Sequence, residues 1–260
     1  MNLLLQDKII LVTGGARGIG EGICRVLAAE GAVPVILDRN IAAGTTLMGE
    51  LIAAGGQAFF IPAELTEPDS CRRAVERALA LTGGRIDGLV NNAGVNDGVG
   101  LEHGDYERFM ASLHKNLLHY YLIAHHALPA LKTSKGPIVN IVSKTAETGQ
   151  GGTSAYAAAN GGRNALTREW AVELLPYGIR VNAVVVAECW TPMYADWLAT
   201  VPDPEQKRLE ITRRIPLGHR MTTTEEIGNT VAFLLSEKSS HTTGQMIHVD
   251  GGYMHLDRAV

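Results

Sequence analysis

The sequence predicts an α/β chain, a doubly wound parallel sheet of about seven strands with helices on both faces. Two observations predict it. Short runs of consecutive apolar residues alternate with helical patterns, as strands buried on both faces require. The first of these runs leads directly into a glycine-rich turn and then a helix, the opening of a nucleotide-binding βαβ unit.

In chain order, KIILVT (8–13) is the first strand, ending in TGGARGIG, and EGICRVLAAEG is the first helix. VPVILD (33–38) is a second strand, IAAGTTLMGELIAAG a second helix and QAFFIP a third strand. Residues 68–81 read as a third helix and DGLVNN (87–92) as a fourth strand. A helical stretch with room for a break runs from Tyr106 to Leu131. It is followed by GPIVNIVS (136–143), a helix over 154–175 and IRVNAVVV (179–186). Residues 188–222 carry Trp190, Pro192, Trp197, Pro202, Pro204 and Pro216, and read as an irregular substrate-binding loop or lid. TTEEIGNTVAFLLS is a last helix capped by Thr223 or Thr224, and QMIHVDGG a last strand. With no repeat, low-complexity tract or linker, residues 1–260 are expected to form one domain.

Composition excludes several function classes. A formal net charge of -4 leaves no basic patch for nucleic acid or an anionic membrane surface. The N-terminal MNLLLQDK is apolar for too few residues to be a signal peptide or a membrane span. Cys24, Cys71 and Cys189 are odd in number and lack C-x-x-C spacing, so neither a disulfide framework nor a zinc site is expected, and a reducing cytoplasm fits. The histidines form no H-E-x-x-H motif, and adjacent His125 and His126 point apart on a helix; no metal is expected.

Between the first strand and helix, Gly14, Gly18 and Gly20 are spaced G-x-x-x-G-x-G, with Arg17 and Ile19 between them. Glycine permits the tight turn and lets backbone approach a pyrophosphate, which the following helix N-terminus attracts. Asp38 ends the second strand, where a carboxylate accepts hydrogen bonds from ribose hydroxyls and repels a 2′-phosphate. That favours NAD over NADP; Arg17 and Arg39 argue the other way, and Asp38 also suits a helix cap.

Together TGGARGIG, NNAG (91–94), Asn116, Ser143 and Tyr156 resemble, in order and spacing, the short-chain dehydrogenase/reductase superfamily over nearly the whole chain. More narrowly, GVNDGVGL, VSKTAETGQG, ALTREWAVEL, AECWTPMY and HVDGGYMHLDRA are similar to its L-fucose dehydrogenases. The resemblance implies a single-domain Rossmann fold and a homotetramer paired through helices near 106–131 and 154–175 and the last strands, where His114, His119, Tyr120 and Tyr121 would suit the interface or equally an exposed helical face. It implies Tyr156 as the acid/base, Ser143 as the residue holding the substrate oxygen, and Asn116 as the holder of a helix bend and a water. Asn92, Ala93 and Gly94 would flank the adenosine ribose, Glu64 and Leu65 the adenine, and Cys189 and Thr191 the carboxamide. Asn96, Ser143, Lys144, Gln150, Glu188, Trp190 and Tyr194 would line the substrate site. Their donors, acceptors and aromatic faces suit a sugar better than a steroid, with oxidation of an anomeric hydroxyl to the lactone as the expected reaction. Glu188 and Lys144 are equally able to pair with each other.

Two positions depart from the superfamily. Val186-Ala187 stands where many members have Pro-Gly. Asn160 stands where they have lysine, which binds the nicotinamide ribose and favours the ionised tyrosine. Asparagine can still offer hydrogen bonds to the ribose, but no charge. A unit charge roughly 5 Å away, at an effective dielectric of about 20, is worth about 3 kcal/mol, on the order of a hundredfold in rate. The expectation is a slow dehydrogenase, with a dehydrogenase of another alcohol (a hydroxysteroid or polyol) or a non-catalytic NAD-binding protein as alternatives.

Overall fold

Seven parallel strands lie side by side in the order β3-β2-β1-β4-β5-β6-β7. They are β1 (Ile9–Thr13), β2 (Val33–Asp38), β3 (Phe59–Pro62), β4 (Gly88–Asn91), β5 (Ile138–Ser143), β6 (Val181–Val186) and β7 (Met246–Val249). The computed structural model describes residues 2–256; Asp257, Arg258 and Ala259 of the HVDGGYMHLDRA stretch lie outside them.

The helices are α1 (Gly18–Ala29), α2 (Ile41–Ala53), α3 (Pro68–Leu81), α4 (Tyr106–Leu113), α5 (His119–Ser134), α6 (Ser154–Glu173), α7 (Pro192–Leu198), α8 (Pro204–Thr212) and α9 (Thr224–Leu235). Successive strand residues enter opposite layers, because strand side chains alternate. Val12 and Ile36 pack with Ile23 and Leu27 of α1 and Ile227 and Val231 of α9. Leu11, Val35 and Leu89 pack with Val75 of α3, Ile123 of α5 and Trp170 of α6. Full burial of such side chains contributes about 1.5–3 kcal/mol each, which explains the unbroken apolar runs in the sequence.

Two local readings are made definite, the break within 106–131 and the cap of α9, and two are corrected. The stretch 106–131 is two helices joined by a wider π turn, His114–Leu118, centred on Asn116. The segment 188–222 contains α7 and α8, each with proline in its first turn and a capping side chain: Thr191 Oγ1 accepts from Tyr194 N, and Asp203 Oδ1 from Gln206 N. Proline starts helices as well as breaking them, because the first-turn N–H has no helical partner. The cap of α9 is Thr223, in a reciprocal capping box with Glu226. His119 and Tyr120 are 1% and 0% exposed and so unavailable to a partner chain, whereas Tyr121 is 53% exposed. The Tyr120 hydroxyl donates to Ile141 O (2.9 Å), turning that side of α5 onto the sheet.

Candidate active site

The chain reverses its direction of travel across the sheet between β1 and β4, and the ends of these strands are stitched together there. Thr13 Oγ1 accepts from Asn92 N (2.9 Å) and Ala93 N (3.2 Å), while Asn92 Nδ2 donates to Thr13 O and Gly14 O, both at 3.0 Å. Gly14 has φ +61°, and a Cβ on Gly20 would lie 2.1 Å from Gly14 O. Side chains here would close the turn that leads into α1. Among the described residues no side chain caps α1, which leaves N–H groups of its first turn as potential donors to an anion. A cleft lined by Gly18, Trp190, Thr191 and Pro192 separates this turn from α7. These residues fit a dinucleotide pyrophosphate.

Asp38 braces the same turn: Oδ2 accepts from Ala16 N (3.1 Å) and Oδ1 from Asn40 N (2.9 Å). It does not cap α2; Asn40 does, accepting from Ala43 N. Arg39 leans toward Glu64, 3.7 Å away, and Glu64 also accepts from Thr66 Oγ1 (2.8 Å). Leu65 beside it is buried and Arg17 is exposed.

Ser143 ends β5 and caps a short helical turn, its Oγ accepting from Thr145 N (3.2 Å). Tyr156 lies half-buried in the first turn of α6. One turn on, Asn160 is 0% exposed and both ends of its amide are engaged. Its Oδ1 accepts from Ser143 N (2.9 Å) and Arg163 Nη1 (3.1 Å), and its Nδ2 donates to Tyr156 O (2.8 Å). The expectation that this amide serves a ribose is corrected: a short side chain on the inner face of α6 reaches the end of β5 and no farther. Asn116 is also fully buried; Oδ1 accepts from Val95 N (2.8 Å) and Nδ2 donates to Ser112 O (3.0 Å).

Beside Ser143, Lys144 forms an ion pair with Glu188, each side chain 12% exposed. The other Glu188 oxygen accepts from Tyr194 Oη (2.7 Å). Burial, and then the Glu188 carboxylate, push the Tyr194 hydroxyl far above the usual tyrosine range, so it remains a donor. Trp190 is half-exposed, its ring 6.3 Å from that of Tyr194. Cys189 is buried, and Asn96 and Gln150 lie exposed on loops.

The sequence reading missed Tyr253, whose ring centroid is 4.3 Å from Lys144 Nζ. It also missed that Glu147, His248 and His255 meet, with ligand-capable atoms within 4.8 Å of one another. Glu147 Oε2 lies 3.1 Å from His248 Nε2, and the His248 and His255 rings meet edge-on at 4.2 Å. The register explains the convergence: Ser143, Val186 and Val249 are neighbours across β5, β6 and β7, so the loops leaving these strands share one edge. Only the strand order, not local sequence, reveals it.

A glycine turn at the sheet's switch point, with Ser143 at the end of β5 linked through the Asn160 amide to Tyr156 on α6, fits a nucleotide-dependent oxidoreductase. A family profile described as enoyl-(acyl carrier protein) reductase matches residues 14–254. The L-fucose dehydrogenase of Rattus norvegicus is 35% identical over 248 residues, 95% of this chain and 89% of that protein. The 3-oxoacyl-(acyl-carrier-protein) reductase of Thermotoga maritima is 35% identical over 249 residues, 95% of this chain and 98% of that protein. The crystal structure of Cj0485 dehydrogenase is 43% identical with a TM-score of 0.94, covering 100% of this chain and 99% of that one. The chain belongs to the short-chain dehydrogenase/reductase family, oxidoreductases acting on CH–OH groups. Among the described residues no helix is long and apolar enough to cross a membrane.

Proposed function

We propose that this chain is an NAD-dependent dehydrogenase that oxidises the anomeric hydroxyl of L-fucose or a related aldose to the lactone. The observation carrying this reading is the Lys144–Glu188–Tyr194 group beside Ser143, a nearly buried set of donors and acceptors that suits a polyhydroxylated ring and penalises an apolar one. The similarity to L-fucose dehydrogenases supports it.

In this reading Ser143 Oγ holds the substrate oxygen while Tyr156 takes its proton. The C–H electron pair leaves as hydride and the C–O bond becomes the lactone carbonyl. NAD, when bound, supplies the hydride acceptor. Gly14, Gly18, Ile19 and Gly20 would hold its pyrophosphate, with Arg17 at the mouth of the turn. Asp38, Asn92, Ala93 and Gly94 would take the adenosine ribose, Glu64 and Leu65 the adenine, and Cys189 and Thr191 the carboxamide. The preference for NAD rests on the Asp38 carboxylate and on Arg39 being drawn toward Glu64 rather than free for a 2′-phosphate. A homotetramer in a reducing cytoplasm fits exposed Tyr121 and three buried free cysteines.

A panel of L-fucose, other aldoses, a polyol, a cyclic secondary alcohol and a hydroxysteroid, each with NAD and with NADP, tests the reading. Turnover is expected with an aldose and NAD; a preference for the steroid or cyclic alcohol would sink the sugar assignment. The burial of Asn160, with its amide turned to Ser143 N and Tyr156 O, favours one alternative, an NAD-binding protein without turnover. NAD binding with no oxidation of any substrate, before and after Asn160→Lys, would identify it.

A further inference from the structure

Arg163 is the only lysine or arginine among the described residues that is buried, at 2% exposure. A buried ion is costly unless its donors are satisfied, and a guanidinium keeps its charge in a folded protein. Here the compensation is entirely neutral. Nε donates to Asn116 O (2.5 Å), Nη1 to Ile141 O (3.3 Å) and Asn160 Oδ1 (3.1 Å), and Nη2 to Ala93 O (3.4 Å) and Asn116 Oδ1 (3.5 Å). The guanidinium also lies over the Tyr120 ring, 4.2 Å from its centroid. A Cβ on Gly94 would lie 2.7 Å from Nη2, so the loop after β4 is shaped to admit it.

These contacts reach four of the elements that carry the site: the loop after β4, the π turn, β5 and α6. We propose that Arg163 is a positioning residue for the reaction, a buried cation that orients the Asn160 amide and thereby sets Ser143 against Tyr156. The proposal rests on the dehydrogenase reading above. An amide has two orientations, and only one presents oxygen to Ser143 N and nitrogen to Tyr156 O. The Nη1 donor at Oδ1 selects that one.

The test compares Arg163→Ala, Arg163→Gln and the parent chain in three measurements: amide hydrogen exchange at Ser143, NAD affinity by calorimetry, and kcat. Removing the guanidinium is expected to speed exchange at Ser143 about tenfold, the loss of roughly one charge-assisted hydrogen bond, and to lower kcat by a similar factor. NAD affinity should fall by less than kcat does, since the Ala93–Gly94 loop loses one long hydrogen bond while the glycine turn after β1 is not in contact with Arg163. Free guanidinium ion added to Arg163→Ala should recover both losses, which a general packing defect would not allow. Unchanged Ser143 exchange and kcat in a folded variant would overturn the proposal, as would losses that guanidinium leaves untouched. Should Arg163→Ala fail to fold, Arg163→Gln keeps part of the bulk and two donors without charge and is judged by the same exchange and kcat. If the parent chain oxidises no alcohol, the dehydrogenase reading fails, and Ser143 exchange alone decides the role of Arg163.

Discussion

Asn160 Oδ1 accepts the backbone N–H of Ser143 at 2.9 Å, so Asn160 is a strut between β5 and α6. Its Nδ2 holds the Tyr156 carbonyl, and the whole side chain is out of contact with solvent. Ser143 and Tyr156 are thus linked through one neutral buried amide, which separates binding from rate in the predictions below.

Glu188→Gln is expected to weaken substrate binding before anything else. The change strands the Lys144 ammonium at a site where both side chains are largely shielded, and weakens the acceptor for Tyr194. KM for the sugar should rise about tenfold, with a stability loss of about 2 kcal/mol from the orphaned cation. Steady-state kinetics and thermal unfolding on the same preparation check both numbers.

His119 sets an acid limit on stability. Burial, and then the nearby Arg163 charge, hold its imidazole down at about 3 against an ordinary 6.5. The unfolded chain thus binds a proton that the folded chain refuses between these values. The stabilising contribution is complete above pH 6.5 and is lost as pH falls from there toward 3. Between pH 7 and pH 5 the loss should be about 2 kcal/mol in urea unfolding. His119→Phe should flatten that part of the profile.

Thr223→Ala removes one half of the capping box on α9. Glu226 is held at about 2 chiefly by its hydrogen bond with Arg220, and it also accepts from Thr223 N, so the opposite half remains. The loss should be about 1 kcal/mol, or about 2–4 °C in Tm. Thermal unfolding of the parent and variant side by side checks both numbers.

Legibility followed the range of the interactions involved. Strands buried on both faces write their position directly as apolar runs, and VPVILD reads as β2 from Val33 to Asp38 without adjustment. The glycine turn is equally local, because Gly14 and Gly20 answer to backbone contacts near them or at the end of the neighbouring strand. Helices α7 and α8 were hidden, since the prolines that start them also occur in loops. Burial of His119 and Tyr120 depended on the phase of α5 after the π turn, which a plain helical period does not give. The roles of Tyr253 and Arg163 were illegible for a different reason. Tyr253 reaches Lys144 only through the order of β5, β6 and β7. Arg163 has the sequence context of a helix-surface arginine, and only the Gly94 loop and Asn116 close around it to make it a core residue.

The most direct measurement is NADH formation by the parent chain and by Asn160→Lys, side by side, with NAD and L-fucose. If the chain is a sugar dehydrogenase slowed at position 160, the lysine form turns over faster, by about tenfold to a hundredfold. It should also be less stable by about 1–3 kcal/mol, having lost the bonds to Ser143 and Tyr156 and gained an ammonium beside Arg163. Equal rates would contradict the reading of position 160, and silence from both forms while NAD still binds would contradict the sugar dehydrogenase itself.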